Sequence, residues 1–170
     1  MASVRLRSTR SGLIDLSALT GRTIVYAYPR TGRPGIDNPD GWDMIPGARG
    51  CTPQTCSFRD HFAELRALGV DHLFGLSTQG TAYQREAAER LHLPFALLSD
   101  EPLALTRAMR LPTFEVGGMT LLKRFTLAIC HGTVEHVFYP VFPPDRNAGD
   151  VIRWLARATR ERGEAPTLPE

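Results

Sequence analysis

The sequence is poor in cysteine, in lysine and in long apolar runs, and each shortage excludes a class of protein. No apolar run approaches the roughly 18 residues of a membrane span, so an integral membrane protein is excluded and we expect no membrane partner. Three cysteines in 170 residues are too few, and odd in number, for a secreted module held by disulfides. We therefore expect a reducing compartment, the cytoplasm, in which a cysteine pair is catalytic or metal-binding rather than structural.

The charge is almost balanced, with 20 basic and 18 acidic residues and a formal net charge of +2. Lys123 is the only lysine, and the arginines are scattered along the chain, so a nucleic-acid-binding surface is not indicated. No Gly-rich phosphate loop follows a strand pattern, which leaves nucleotide cofactors without support. The apolar fraction of 42% is enough for the core of one domain.

The hydrophobic pattern alternates between strand-like and helix-like segments and predicts a three-layer α/β domain. The main predicted elements are a central buried strand (23–28), a helix (53–68), a strand (71–77), a helix (81–91), a hairpin (121–130 and 133–139, turning at His131 and Gly132) and a last helix capped by Asn147. We predict an N-terminal strand or ragged terminus at 1–12, one domain at 13–162 and a disordered tail at 163–170.

A long loop follows the first central strand, and two cysteines follow the loop. The segment from Pro29 to Gly50 contains five glycines and four prolines, and an irregular loop of that length in a compact domain is usually functional. Thr52 and Pro53 have the residue types of a helix N-cap and first position, which places Cys51 at or just before the start of the helix. The amides and positive dipole end found there stabilise a thiolate and so favour a nucleophilic sulfur.

Helix geometry separates the second cysteine of this segment from the first. Cys56 follows Cys51 by five residues, which is about 140° around the helix axis and about 7.5 Å along it. The two cysteines cannot form a disulfide while the helix is intact, because bridged Cα atoms lie within about 7 Å with converging Cβ vectors. Two small buried side chains are an equally good interpretation of the spacing alone. A zinc site is disfavoured because no second Cys or His pair follows, and Cys130 is interpreted as a core residue.

The motifs around these cysteines resemble the peroxiredoxins of the bacterioferritin-comigratory, or Q-type, group. The matching residues are Tyr28-Pro29, Gly50-Cys51-Thr52, Cys56, Phe58-Arg59-Asp60, Gly75-Leu76-Ser77, Leu97-Leu98-Ser99-Asp100 and the strand from Arg124 to Val137. The resemblance covers roughly residues 13–158. It implies a thioredoxin-like fold with a central mixed sheet, no cofactor and no metal. The implied activity is reduction of hydrogen peroxide or an alkyl hydroperoxide, with thioredoxin or a similar dithiol restoring the enzyme.

The same resemblance implies roles for individual residues. Cys51 matches the peroxidatic cysteine, Cys56 the resolving cysteine and Arg124 the active-site arginine, whose guanidinium would favour the thiolate. The implied substrate pocket comprises Pro29, Thr31, Gly50 and Thr52.

Two features depart from the group. Ala48 stands where the group has a threonine, and the loop from about 30 to 49 is longer. We expect this loop to rebuild one wall of the pocket, with Thr31 or Thr52 supplying the missing hydroxyl. Trp42, which the loop carries, is expected to cover apolar surface.

Two other functions remain open at this stage. One is a disulfide oxidoreductase that exchanges thiols with proteins and reacts slowly with peroxide. The other is a redox sensor or interaction module, in which unwinding of the helix on disulfide formation is the output. An intrachain resolving cysteine needs no partner subunit, so we expect a monomer.

Overall fold

The computed structural model describes residues 1–10 and 12–161 of the chain. Its strands are β1 (Arg5–Ser8), β2 (Leu13–Asp15), β3 (Arg22–Ala27), β4 (His72–Ser77), β5 (Ala96–Ser99), β6 (Thr113–Val116), β7 (Met119–Leu122), β8 (Phe125–Cys130) and β9 (Thr133–Phe138). Its α-helices are α1 (Cys51–Asp60), α2 (Phe62–Ala67), α3 (Thr81–Arg90), α4 (Ala104–Met109) and α5 (Asn147–Glu161). Within these described ranges, no helix has the length and apolar content to cross a membrane. The tail predicted at 163–170 lies outside the described residues.

Seven of the strands form one mixed sheet in the order β2-β1-β5-β4-β3-β8-β9, while β6 and β7 pair with each other. β3, β4 and β5 run parallel, and β3 also pairs antiparallel with β8. β3 therefore has a hydrogen-bonded neighbour on each side, which satisfies its backbone polar groups away from water. This agrees with the predicted central strand.

Helices cover both faces of this sheet. Alternate side chains of β3 point to opposite faces and pack in two different hydrophobic clusters. Ile24 and Tyr26 pack in a cluster with side chains from α1, α2 and α5. Val25 and Ala27 point the other way, into a cluster that includes Leu105 of α4. The predicted three-layer α/β architecture is confirmed.

The single helix predicted over 53–68 is wrong at its start and in its middle. The helix begins at Cys51, and His61 (φ −98°, ψ 10°) separates α1 from α2. The Nδ1 atom of His61 lies 2.9 Å from the carbonyl oxygen of Ser57, which is within hydrogen-bond distance. The imidazole thus provides a partner for one of the carbonyl groups at the end of α1. Beyond the break, the ring of Phe62 lies 6.0 Å from that of Phe95. The predicted stop at Gly69 agrees with its left-handed φ of 82°.

The single strand predicted over 121–130 is divided in the structure into two strands, which belong to different sheets. β7 pairs with β6, whereas β8 pairs with β3 and β9. Lys123 and Arg124 lie in the bend between β7 and β8, and the Lys123 amide donates to the carbonyl of Pro112 (2.8 Å). The β6–β7 hairpin was not predicted. The turn at His131 and Gly132 between β8 and β9 is confirmed.

Asn147 does not cap the last helix as predicted. A 3-10 turn (Pro144–Arg146) precedes it, and Asn147 itself has helical dihedral angles (φ −59°, ψ −43°), whereas an N-cap residue has extended ones. Its side chain is buried instead of facing the helix end.

The loop over residues 30–49, called here the inserted loop, has a small core of its own. Trp42 and Ala48 pack against Val116 of β6 and Leu121 of β7. We call these four residues the satellite cluster. The β6–β7 hairpin therefore gives the loop an apolar surface to pack on, which explains how so long a segment is held. Trp42 is 5% exposed, in agreement with the expectation that it covers apolar surface.

Candidate active site

Cys51 is the first residue of α1, and Gly50 provides the conformation that places it there. Gly50 is the N-cap residue, with a left-handed φ of 97° that favours glycine. A Cβ atom on Gly50 would lie 2.6 Å from Cγ of Pro144, so a side chain has no room. The predicted N-cap role of Thr52 is therefore wrong by two positions. Pro53 is tolerated because the amides of the first helical turn have no intrahelical acceptor.

The sulfur of Cys51 lies in a buried, positively charged setting. Cys51 is 4% exposed, and its Sγ is 3.3 Å from Nη2 of Arg124 and 3.6 Å from the carbonyl oxygen of Ala48. The same Nη2 donates to the carbonyls of Gly47 (3.1 Å) and Arg49 (2.9 Å), which fixes the guanidinium. A cation held at this distance stabilises negative charge on Sγ.

Arg124 is itself buried (4% exposed), and within the described ranges it has no ion pair with a carboxylate. Its Nη1 atom donates to Oε1 of Gln54, which is neutral. A buried cation normally has a compensating negative charge nearby. Cys51, if ionised, is a group in contact with Arg124 that supplies such a charge.

A chain of buried polar side chains supports Arg124 from behind. Gln54 uses its Nε2 to donate to Oδ1 of Asn147 (2.9 Å), and the hydroxyl of Thr126 donates to the same oxygen (2.7 Å). All three side chains are at most 1% exposed. Because Asn147 Oδ1 accepts both bonds, Gln54 must present its amide nitrogen to Asn147 and its oxygen to Arg124. We call Gln54, Asn147 and Thr126 the buried relay.

Sequence reasoning missed the buried relay, although part of its signal was available. Gln54 lies one helical turn after Cys51, so the two side chains share a face of α1. Thr126 follows Arg124 by two residues, a spacing that puts strand residues on one face. Nothing local connects Asn147 with either, because it lies 93 residues from Gln54.

Two tyrosines lie in the same apolar cluster as Cys51, and both stay neutral. Burial raises the pKa of Tyr26 and of Tyr28 well above the usual phenol value. The Tyr26 ring stacks on Phe58 at 4.4 Å between centroids, and its hydroxyl contacts Oγ1 of Thr55 (3.3 Å). The phenols thus pack beneath Cys51 without adding negative charge that would oppose a thiolate.

Cys56 is half-buried and stands five residues along the same unbroken helix, and all three cysteines are free thiols. The helical geometry keeps Cys51 and Cys56 apart, so residues 51–56 must lose their helical conformation before the two sulfurs can bond. Cys130 ends β8, where it is paired in register with Arg22 and Thr133. Among the described residues, no group of three or more His, Cys, Asp or Glu side chains could hold a metal ion.

A cavity of about 320 Å³ opens in front of Cys51. It is lined by Arg30, Gly32, Asn38, Trp42, Ala48, Arg49, Gly50, Cys51, Thr52 and Pro53. Of the predicted pocket residues, Gly50 and Thr52 line this cavity. Pro29 and Thr31 do not, although both are buried.

Thr31 is instead part of the anchor between the inserted loop and the segment that precedes α3. Its hydroxyl donates to Oε1 of Gln79 (3.3 Å), and its amide donates to the same oxygen (3.0 Å). Nε2 of Gln79 returns a bond to the carbonyl of Thr31 (3.1 Å). Ala48 sits in the satellite cluster with only its carbonyl toward Cys51. Thr52, which lines the cavity, is the better placed of the two threonines to supply the missing hydroxyl.

Comparison with known proteins decides the family. The Redoxin family model matches residues 2–152. The chain belongs to the redoxin family. Peroxiredoxin Q, chloroplastic, of Oryza sativa subsp. japonica is 30% identical over 152 residues, which are 88% of this chain and 62% of the rice protein. The chain thus spans less than two thirds of the length of this redoxin relative.

Solved structures extend the comparison to the fold of this redoxin. The peroxidoxin BcpB of Mycobacterium tuberculosis has a TM-score of 0.70 at 24% identity, over 93% of this chain and 94% of that one. The bacterioferritin comigratory protein of Xanthomonas campestris, studied for alkyl peroxide reduction, has a TM-score of 0.72 at 20% identity, over 91% of each chain. The predicted thioredoxin-like fold and the resemblance to Q-type peroxiredoxins are confirmed.

Proposed function

We propose that this redoxin is a thiol-dependent peroxidase, with Cys51 as the peroxidatic and Cys56 as the resolving cysteine. The observation that carries the proposal is the 3.3 Å contact between Nη2 of buried Arg124 and Sγ of Cys51. It supports a thiolate at Cys51, because the ionised sulfur compensates a guanidinium that has no carboxylate partner within the described ranges.

In the first step the Cys51 thiolate attacks one oxygen of the hydroperoxide. An S–O bond forms and the O–O bond breaks, so the sulfur is oxidised to a sulfenic acid and the peroxide is reduced. The second oxygen leaves with the bonding electron pair and takes up a proton to become an alcohol, or water when the substrate is hydrogen peroxide. Arg124 and the free amides at the start of α1 stabilise the charge that moves between the two oxygens.

In the second step the Cys56 thiol attacks the sulfenic sulfur of Cys51. The S–S bond forms, the S–O bond breaks, and the hydroxyl leaves as water with the proton of the thiol. A dithiol reductant, thioredoxin or a similar protein, then exchanges with the disulfide, so the reductant is oxidised and both cysteines return to thiols. The second step needs the first turns of α1 to unwind, as the helical separation of the two cysteines requires.

The proposal extends to the setting in which the protein works. Both cysteines lie in one chain, which removes the need for a partner subunit, and we propose a monomer. The sparse cysteines and near-balanced charge support a cytoplasmic protein without nucleic-acid or membrane partners. The domain limits of 13–162 stay a prediction.

Stopped-flow fluorescence tests the peroxidase proposal, because Trp42 lines the Cys51 cavity and reports on it directly. Mixing the reduced protein with hydrogen peroxide should give an oxidation phase orders of magnitude faster than that of a free cysteine. Cys51→Ser should abolish this phase. Cys56→Ser should retain it but accumulate a sulfenic acid that dimedone traps, and should lose turnover with a dithiol reductant.

Two further measurements separate the peroxidase from the alternatives. Mass spectrometry of the oxidised protein should show an intrachain Cys51–Cys56 bridge, and circular dichroism should show loss of helix. A covalent dimer, or a bridge that involves Cys130, would contradict the assignment of Cys56. A peroxide rate no better than that of a free thiol, combined with fast exchange with protein dithiols, would favour a disulfide oxidoreductase or a sensor.

A further inference from the structure

We propose that the Cys51 cavity selects hydroperoxides that carry a carboxylate, and that Arg30 recognises this negative charge. The inference rests on the proposed peroxidase function, because it names the class of substrate for the same sulfur. It adds a specificity-determining residue that lies in the inserted loop, outside the motifs that carry the family resemblance.

The volume of the cavity leaves room for an organic substrate. At about 320 Å³ it lies at the lower end of the range for small-molecule sites, about 300–1,000 Å³. A water molecule takes up about 30 Å³ in the liquid, and hydrogen peroxide is only slightly larger. The lining includes two side chains with apolar surface, Pro53 and the edge of Trp42, against which a short carbon chain can pack.

The inserted loop carries equal numbers of positive and negative residues, but only positive ones line the cavity. It contains three arginines and three aspartates: Arg30, Arg33, Arg49, Asp37, Asp40 and Asp43. Arg30 and Arg49 line the cavity, whereas no acidic residue does. All three aspartates are exposed, and Asp43 forms an ion pair with Arg49 at the solvent (2.7 Å). Of the three loop arginines, Arg30 thus lines the cavity without an acidic partner in the described ranges, whereas Arg49 is exposed in its pair with Asp43 and Arg33 lies outside the lining.

Arg30 is the cavity arginine whose charge is available for a ligand. Its guanidinium carbon lies 5.8 Å above the centre of the Trp42 ring, and its Nη2 is 3.4 Å from the hydroxyl of Tyr83. Both contacts are with neutral groups, and within the described ranges Arg30 forms no ion pair. Arg124 is committed to Cys51 and its backbone carbonyls, and Arg49 is paired with Asp43.

The remaining polar groups of the lining suit the same ligand. Asn38 and Thr52 contribute side chains that can donate hydrogen bonds, and the start of α1 contributes free amides. A guanidinium binds a carboxylate through paired N–H donors, and a cleft with one sign of charge raises the local concentration of the opposite sign. A carboxylate-bearing hydroperoxide therefore satisfies the cavity better than a neutral one.

The test compares two substrates that differ in charge and otherwise only by one methyl group. The tertiary hydroperoxide of 4-methylpentanoic acid and its methyl ester are mixed with the reduced protein, and second-order rates are measured by Trp fluorescence. We expect the acid to react about tenfold faster than the ester, the lower end of the enhancement known for charged clefts. About 0.5 M salt should reduce this ratio, because it shortens the range of the charge interaction to a few Å.

Arg30→Gln should bring the acid-to-ester ratio close to one. Arg33→Gln is the matched control, because it removes the same charge from the same loop but from a residue outside the cavity lining, which is paired with Glu86. It should leave the ratio unchanged. A wild-type ratio near one, with fast reaction of both substrates, would overturn the carboxylate proposal and leave the peroxidase intact. Equal losses in both arginine variants would overturn the role of Arg30. Slow reaction with every peroxide would instead contradict the proposed function.

Discussion

The sulfur of Cys51 lies between two walls that are built in different ways: a buried wall behind it, outside the cavity lining, and the loop that lines the cavity in front of it. One wall, the framework wall, comprises Arg124 and the buried relay behind it, and its side chains are at most 4% exposed and interlocked by hydrogen bonds. The other wall is the inserted loop, which is held by the satellite cluster and by contacts with α3. Arg33 of this loop stacks on Tyr83 (4.0 Å to the ring centre) and pairs with Glu86 (3.5 Å).

The difference separates reactivity from selectivity. Groups that stabilise charge on a reacting atom must be fixed before the reaction, which suits side chains anchored to strands and helices. The loop contributes the backbone carbonyls of Gly47 and Arg49 to Arg124, but its side chains can change without removing these acceptors. On our proposals, the framework wall stabilises charge on the sulfur, and the side chains of the loop wall select the peroxide.

The largest effect is expected when the framework wall loses its cation. Arg124→Met should lower the second-order rate with hydrogen peroxide by about 10²–10³-fold, the usual cost of removing one donor that stabilises a transition state. Stopped-flow fluorescence measures the rate, and thermal unfolding confirms that the variant is folded. Arg124→Lys keeps the positive charge but lacks the planar guanidinium, and its rate should lie between those of the wild type and of Arg124→Met. An unchanged rate in Arg124→Met would remove Arg124 from the mechanism.

The next largest effect concerns the stability of the loop wall. Trp42→Ala should lower the free energy of unfolding by about 3 kcal/mol, because it removes the largest side chain of the satellite cluster and leaves a cavity there. Its rate loss with hydrogen peroxide, measured by peroxide consumption because this variant lacks the fluorescent reporter, should be smaller than that of Arg124→Met, since the contact between Arg124 and Cys51 does not involve Trp42. Urea unfolding followed by circular dichroism gives the stability, with Trp42→Phe as the conservative control. A rate loss equal to that of Arg124→Met would mean that the walls are not separable.

The buried relay gives a smaller effect within the framework wall. Asn147→Leu leaves Nε2 of Gln54 and the hydroxyl of Thr126 without an acceptor, and should cost about 2 kcal/mol in stability. The rate should fall about tenfold, a loss of roughly 1.4 kcal/mol in transition-state stabilisation, because Gln54 is then free to turn its amide toward Arg124. Thr126→Val is the control, since it removes only the outer donor and keeps the bond between Asn147 and Gln54. Equal rate losses in both variants would indicate general destabilisation instead of positioning.

The smallest effect is expected at Thr31, whose hydroxyl is bound to Gln79. Thr31→Val should change the rate with hydrogen peroxide by less than about twofold and the stability by about 1 kcal/mol, the value of one hydrogen bond. Thr52→Val, at a residue that lines the cavity, should lower the rate more. A large rate loss in Thr31→Val alone would mean that Thr31, and not Thr52, supplies the hydroxyl that is absent at Ala48.

Much of the reactive centre could be predicted from local sequence. Thr52 and Pro53 indicate a helix start next to Cys51, and the structure places Cys51 at the first residue of α1 with its side chain buried. Arg124 came from family resemblance, and its contact with Cys51 is consistent with the role implied there. Local reasoning failed at Thr52, because Gly50 caps the helix through its left-handed conformation and not through a side-chain bond.

The sequence by itself determined the α/β order, the reactive helix start and the separation of Cys51 from Cys56, because periodicity and helix geometry act over a few residues. Only the tertiary structure decided that Asn147 supports Gln54 and that Arg30 lines the cavity while the loop aspartates are exposed. These contacts join residues far apart in the chain, and burial and packing select them once the sheet has formed. The sequence of a loop with three charges of each sign therefore does not show which of its residues line the cavity.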